Sequence, residues 1–159
     1  MMGLTRTAHS ETDVKIGFVD TERILREAAP AVRSQKKLEK EFEKRSQELE
    51  KLAKQLQSMQ QTMEKNAVTL SESDKRAKER EFNDLTRDMQ RREREYREDL
   101  NQRRNEELAS VLDRANKAIK VIAEAEKYDI IFQEVVYRSQ RIDITEKVLK
   151  ALADPPPGK

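Results

Sequence analysis

The sequence has 159 residues, of which 40% are charged and only 4% aromatic, whereas globular domains average about 25% charged residues. Its 33 basic and 31 acidic side chains nearly cancel to a net charge of +2, which is typical of a solvated mixed-sign surface and not of a dedicated nucleic-acid-binding face. The absence of cysteine excludes disulfides and thiol catalysis, and no apolar run approaches the roughly 20 residues of a transmembrane segment.

The N-terminal part of the chain predicts a leader followed by a short strand. Residues 1–13 are polar, and we expect them to be disordered. They also lack the apolar stretch of a secretory signal peptide. Residues 15–20 then alternate in the manner of a strand, with Ile16 and Phe18 on one face and Val19 on the other.

A long helical hairpin is predicted over residues 31–128. A short helix with Thr21 as its candidate N-cap precedes the hairpin, and Pro30 predicts a break between the two because proline disrupts a continuing helix. In both halves of the hairpin, apolar residues recur every three or four positions, the period of a coiled-coil seam. The first stripe comprises Leu38, Phe42, Leu49, Leu52, Leu56, Met59 and Met63; the second comprises Phe82, Leu85, Met89, Arg92, Tyr96 and Leu100.

The two stripes match each other in one antiparallel register. This register places Leu56 opposite Leu85 and Arg45 opposite Tyr96, and the residue numbers of successive pairs keep a nearly constant sum. The hairpin would then turn at residues 70–71, where Ser71 is a good N-cap for the returning helix. We therefore predict an antiparallel coiled-coil arm with its tip at this turn.

Strand signals return after the hairpin. Residues 129–137 are rich in β-branched and aromatic side chains, and a further short strand is predicted to run through Ile142. A final helix is expected over residues 146–152, and the proline-rich residues 154–159 are predicted to form a disordered tail.

The strands at the two ends of the chain predict one β-containing body made of residues 14–30 and 129–153. Three short strands leave unpaired edges and too little area for an independent core, so we expect identical chains to complete the sheet in a homo-oligomer. The fold class is mainly α with this small β body. The residues assigned to the body are Ile16, Phe18, Val19, Ile130, Ile131, Phe132 and Val135.

No pattern in the sequence indicates catalysis. The single histidine, His9, falls in the leader, and the chain contains neither a glycine-rich phosphate loop nor a metal-ligand spacing. We therefore expect a protein that is not an enzyme and that carries no cofactor.

Four apolar residues of the hairpin lack an apolar partner in the predicted register. Leu49 would face Arg92 and Met63 would face Lys78, while Val68 and Leu70 lie beside the turn. All four are candidates for contact with a client chain, although packing within the seam would explain them equally well.

Arginines cluster on the second half of the hairpin. They are candidates for anion or client contact, but interleaved acids also fit a solvated, locally paired helix face. Nucleic acid is not an expected partner, because no aromatic residues alternate with these arginines. The six arginines are Arg91, Arg92, Arg94, Arg97, Arg103 and Arg104.

The order of the terminal motifs resembles the Skp/OmpH family of periplasmic chaperones over residues 15–152. The motifs are Lys-Ile-Gly-Phe-Val-Asp at 15–20, Asp-Ile-Ile-Phe at 129–132 and Asp-Ile-Thr-Glu-Lys-Val-Leu at 143–149. The resemblance implies a homotrimer whose terminal strands form an intersubunit β-barrel, with three arms around a central cavity. It also implies a periplasmic holdase that binds unfolded outer-membrane proteins without ATP.

Some members of that family are associated with lipopolysaccharide, for which the arginines are the candidate contacts. Two other functions remain open at this stage. One is a coiled-coil scaffold or regulator that docks a specific partner. The other is a prefoldin-like chaperone. It is disfavoured because its strands lie in mid-chain, whereas in this chain the tip of the hairpin lies in mid-chain and the strands lie at the ends.

Overall fold

The computed structural model describes residues 13–153 and divides into two units. The core unit contains the described residues up to Ala31 and from Val111 onward, and the hairpin unit is Val32–Ser110. Apart from Asp13, the predicted leader lies outside the described residues, as does the predicted tail. In chain order the elements are β1 (Ile16–Phe18), α1 (Thr21–Glu27), α2 (Ala29–Lys65), α3 (Glu72–Ala125), β2 (Ile130–Phe132), a 3₁₀ turn (Gln140–Ile142) and α4 (Thr145–Leu152). The described chain is thus mainly helical with short strands, as predicted.

The two strands form a parallel sheet in the core unit. Ile16 pairs with Ile130 and Phe18 with Phe132. On the other side of β1, the amide of Ile144 donates a 2.9 Å hydrogen bond to the carbonyl of Phe18. The segments on either side of the long helices are therefore joined through their backbones.

The strands are shorter than the sequence predicts. The strand predicted over residues 129–137 ends at Phe132, so the prediction was wrong for the residues beyond it. Ile142 belongs to the 3₁₀ turn and not to a strand. The physical reason is pairing: β1 offers only three residues, and β propensity cannot extend a strand beyond its hydrogen-bonding partner.

The break between the first two helices lies where proline predicts it. Ala28 has an extended backbone (ψ 140°) between α1 and α2, and Pro30 occupies the first turn of α2, where its missing N–H has no helical partner. Thr21 is not the N-cap of α1, contrary to the prediction. The cap is Asp20, whose carboxylate accepts a 3.0 Å hydrogen bond from the amide of Arg23.

Apolar residues from four helices form the core, together with Val19 beside β1 and the partly buried Ile131 of β2. Tyr128, which follows α3, packs against it, and Gly17 allows β1 to approach that ring closely. A Cβ atom at Gly17 would lie 3.2 Å from a carbon of the Tyr128 ring. The buried core residues are Val19, Ile24, Ala28, Ala31, Val111, Ala115, Ile122, Ile144 and Val148.

In the hairpin unit, contacts between α2 and α3 confirm the predicted register near Arg45. Its guanidinium lies 5.9 Å from the centroid of the Tyr96 ring, the predicted partner. Phe42 is buried and meets Tyr96 edge to face, with ring centroids 5.6 Å apart. Leu38 is also buried, whereas the seam residues from Leu49 to the turn are half-buried.

The turn joins α2 to α3 as the capping pattern predicts. Its residues extend from Asn66 to Ser71, slightly more than the pair predicted. The hydroxyl of Ser71 accepts a 3.1 Å hydrogen bond from the amide of Asp74 and donates a 2.6 Å hydrogen bond to its carboxylate. Ser71 is therefore the N-cap of α3.

Candidate functional site

A cavity of about 190 Å³ lies in the hairpin unit, where the seam contains arginine in place of apolar residues. Leu49 and Arg45 of α2 contribute to one wall, and Arg92 and Tyr96 of α3 contribute to the other. The predicted register sets Leu49 opposite Arg92, and both side chains line the cavity. The complete lining is Arg45, Glu48, Leu49, Arg91, Arg92, Glu95 and Tyr96.

Two of the cavity arginines are held by acids on their own helix. Arg91 donates to Asp88 at 2.6 Å and to Glu95 at 2.9 Å, and Arg92 donates to Asp88 at 2.8 Å. The hydrogen bond from Arg91, together with the charge of Arg92, keeps the pKa of Asp88 below its usual range. Hydrogen bonds to Asp88 and Glu95 in turn raise the pKa of Arg91. Both guanidinium groups are therefore held by charge-assisted hydrogen bonds.

Arg45 links the two helices at the edge of the cavity. It donates to Asp99 at 2.7 Å, and its guanidinium lies 5.6 Å from the Phe42 ring centroid and 5.9 Å from that of Tyr96. A cation within about 6 Å of an aromatic centroid is attracted to the ring. Arg45 can thus occupy a seam position because acid and ring both face it.

A polar cluster around Glu107 joins the helices further along. Only 14% of the Glu107 side chain is exposed. Its carboxylate accepts hydrogen bonds from Lys37 and Ser34 at 2.8 Å each, and from Arg103 at 3.0 Å. These donors, with Lys37 the strongest, lower the pKa of Glu107 to about 2. Arg103 also donates twice to Glu41, at 2.9 and 3.2 Å, so two acids of different helices share one guanidinium.

The six candidate arginines differ in whether their guanidinium groups are already engaged. Those of one set donate to acids of the hairpin, and those of the other set are exposed and have no hydrogen-bonding or ionic partner among the described residues. The second set therefore offers free cationic groups. The engaged set is Arg91, Arg92 and Arg103; the free set is Arg94, Arg97 and Arg104.

The other apolar candidates lie near the turn and not with Leu49. Val68 is 95% exposed, while Met63 and Leu70 are half-buried. Leu49 precedes Met63 by 14 positions of one helix, which corresponds to about 20 Å. The structure therefore separates the four candidates into a cavity residue and a group at the turn.

An apolar row lies on the exposed face of the two-stranded sheet. Ile16 and Ile130, which pair directly, are 39% and 42% exposed, and Phe132 is exposed to a similar degree, as is Val135 beyond the end of β2. Within residues 13–153, β2 has a strand partner on one side only. This apolar row and the free edge of β2 are the surfaces that a second chain could cover.

The remaining body residues pack within their own chain. Val19 is completely buried and Ile131 packs partly against the core. Phe18 is covered by Arg138, whose guanidinium lies 4.0 Å from the ring centroid and pairs with Asp143 at 3.2 Å. The sequence gives no local sign of this contact, because Arg138 is distant in sequence from Phe18.

The Glu107 cluster was also missed at the sequence level, although a signal for it existed. The register that pairs Arg45 with Tyr96 also pairs Ser34 with Glu107. In the sequence, Glu107 is one of many acids on a densely charged helix, and no apolar stripe marks its position. The signal for the cluster is therefore the register itself, which extends to polar residues as well as apolar ones.

These features define a helical-hairpin protein with a half-buried seam and an exposed apolar sheet edge. The family model described as "Outer membrane protein (OmpH-like)" matches residues 15–152. The chain belongs to this family, and the resemblance predicted from its motifs is confirmed. A search of curated protein sequences returned no match.

Comparison with solved structures supports the same fold. One similar structure is that of a protein from Caulobacter crescentus CB15, described as OmpH-like and as a candidate outer membrane chaperone. The TM-score is 0.73 at 14% sequence identity, and the match covers 94% of this chain and 90% of that one. In residues 13–153, no helix is both long enough and apolar enough to cross a membrane.

Proposed function

We propose that the protein is an ATP-independent holdase chaperone that binds unfolded outer-membrane proteins in the periplasm and prevents their aggregation. Membership of the OmpH-like family supports this function, as does the similarity to the candidate chaperone from Caulobacter crescentus. The hairpin unit is suited to weak, reversible contacts because it exposes both charge signs beside half-buried apolar carbon. The protein would hold its clients by binding alone, without catalysis.

The observation that carries the proposal is the exposed apolar row on the sheet. Exposed β-branched and aromatic residues beside a free strand edge favour pairing with another chain. We propose that three protomers cover these rows mutually in a shared β-barrel, so that three hairpins surround one cavity. The residues of the row are Ile16, Ile130 and Phe132, and Val135 beyond β2 is an exposed apolar residue that the same interface would cover.

Client contact is assigned to the hairpin. Val68, Leu70 and Met63 would supply apolar contacts near the turn, and Leu49 would supply one in the cavity. The free arginines would attract acidic segments of a client, or the phosphates of lipopolysaccharide, by charge alone.

Light scattering tests the holdase function directly. A β-barrel outer-membrane protein unfolded in urea is diluted into buffer with and without this protein, in the absence of nucleotide. We expect scattering to be suppressed at about one trimer per client. A scaffold that docks one specific partner would leave the scattering unchanged, and that result would refute the holdase function.

Assembly is tested by sedimentation equilibrium. The unmodified protein should have three times the protomer mass, and Ile130→Lys should lower this mass because it buries a charge in the proposed interface. The matched control is Val68→Lys, which places the same charge on an exposed valine at the turn and should leave the mass unchanged. A monomeric unmodified protein at micromolar concentration would contradict the trimer.

A further inference from the structure

We propose that the cavity beside Leu49 binds one aromatic side chain of an unfolded client. This inference rests on the proposed holdase function and specifies the chemistry of one of its contacts. Its support comes from the size of the cavity, the charges around it and the way arginine is used elsewhere in this chain.

The size of the cavity suits a single ring. Its volume is about 190 Å³ and it is partly open to solvent, whereas a closed apolar cavity of about 150 Å³ in another protein accommodates benzene. Leu49 supplies aliphatic carbon on one wall, and the half-buried Tyr96 supplies an aromatic wall across from it. A ring placed between Leu49 and Tyr96 would bury apolar surface against both side chains.

The charges around the cavity disfavour an ionic ligand. Three guanidinium groups line it and would oppose a cation. Glu48 and Glu95 also line it and would oppose an anion, and the arginines are already paired with Asp88, Glu95 and Asp99. A neutral group with a polarisable face satisfies both signs of charge, and an aromatic ring is such a group.

The chain already places arginines against aromatic rings. Arg45 lies near Phe42 and Tyr96, and Arg138 lies 4.0 Å from the Phe18 centroid. In contrast, Arg91 and Arg92 line the cavity without a cation–π contact to any ring among residues 13–153. Because Asp88 already orients both groups, an incoming ring would not have to order them, which reduces the entropic cost of binding.

The chemistry of the proposed client matches this requirement. Transmembrane β-barrels carry girdles of aromatic residues at both membrane interfaces, so their unfolded chains present many exposed rings. A single ring binding in one cavity would be weak and quickly released. Several such contacts along one client chain would add through effective concentration.

The test uses two peptides from an outer-membrane strand that are identical except for Trp or Leu at one position. Both carry the same dye, and binding is measured by fluorescence anisotropy. Because the chain itself lacks tryptophan, the emission of the peptide tryptophan also reports its surroundings without background. We expect the Trp peptide to bind about 3- to 10-fold more tightly than the Leu peptide, with emission shifted to shorter wavelength.

Two variants test whether the preference for the Trp peptide arises in the cavity. Leu49→Phe narrows the cavity with a ring of the chain itself and Arg92→Gln removes a guanidinium face, and each should reduce the Trp-to-Leu affinity ratio towards one. The matched control is Leu52→Phe, the same enlargement at the next seam position and outside the cavity lining, which should keep the ratio of the unmodified protein. Circular dichroism of all three variants checks that they retain their helices.

The outcomes separate this inference from the holdase function. Equal affinity of the two peptides for the unmodified protein would overturn the aromatic site, as would an unchanged ratio in both Leu49→Phe and Arg92→Gln. If aggregation is still suppressed in that case, the holdase function stands. If neither the peptides nor an unfolded client binds, both proposals are refuted.

Discussion

The core unit and the hairpin unit are stabilised in different ways. In the core unit, Val19, Ile24 and Val148 are at most 1% exposed. In the hairpin unit, most of the seam is only half-buried, and several contacts between its helices are polar, such as Ser34 with Glu107 and Arg45 with Asp99. One unit thus depends on excluding water, and the other on many partial contacts in a fixed register.

The difference matters because the two kinds of contact have different strengths. Complete burial of a large aliphatic side chain contributes about 1.5–3 kcal/mol, whereas exposed ion pairs contribute about 0–1 kcal/mol. A single substitution in the core unit should therefore lower the free energy of unfolding substantially. The hairpin unit should tolerate single changes, which suits a surface that must release what it binds.

The largest expected effect on stability comes from truncating a buried side chain of the core unit. Ile24→Ala removes a side chain that is 1% exposed, and we expect it to lower the free energy of unfolding by about 2–4 kcal/mol. Leu56→Ala makes a similar truncation at a half-buried seam position and should cost about 1 kcal/mol, because less surface returns to water. Urea unfolding followed by circular dichroism, at one protein concentration, measures both. Equal losses would contradict the comparison.

An intermediate effect is expected at Glu107. Glu107→Gln removes the charge that Lys37, Ser34 and Arg103 share, and should lower hairpin stability by about 1–2 kcal/mol at neutral pH. The control is Glu98→Gln on the exposed surface of α3, where the carboxylate has no ionic partner among the described residues and little change is expected.

The same carboxylate predicts a pH dependence. Its folded pKa of about 2 is lower than its usual value of 4.5, so its contribution is complete above pH 4.5 and is lost as the pH falls towards 2. The stability difference between the unmodified protein and Glu107→Gln should therefore shrink over this interval. A difference that stays constant from pH 7 to pH 2 would show that the charge of Glu107 contributes nothing.

The smallest expected effect is at the turn. Ser71→Ala removes the N-cap of α3 and should cost about 0.5–1 kcal/mol, whereas Ser71→Asp keeps an acceptor and should cost less. Hydrogen exchange of the amides in the first turn of α3 measures the change. Equal exchange in the two variants would show that capping does not stabilise this end of the hairpin.

The sequence predicts the hairpin well because its periodicity is local and repeated. Many positions report the same register, so the pairing of Arg45 with Tyr96 follows even though Arg45 interrupts the apolar stripe. The cap at Ser71 and the break before Pro30 also depend on neighbouring residues only. Features determined by short stretches of chain were accessible without a structure.

The sequence does not determine the contacts that depend on distant partners. The length of β2 is set by β1 and not by the propensity of residues 129–137. Phe18 is covered by Arg138, which no local pattern indicates. The cavity likewise requires the shapes of side chains on two helices at once; the sequence predicts only that Leu49 faces Arg92 there.

The parallel pairing of β1 with β2 has a consequence for the order of folding. Lys15 and Asp129, which are hydrogen-bonded at the start of the two strands, are 114 positions apart. Closing a flexible loop of that length costs about 4 kcal/mol of chain entropy, whereas each helix of the hairpin needs only local contacts and can form within microseconds. We expect the helices to form first and to shorten the effective distance that the strands must close. The apolar row would then be completed last. The unpaired strand edges of different chains would therefore not associate before the helices of each chain have formed.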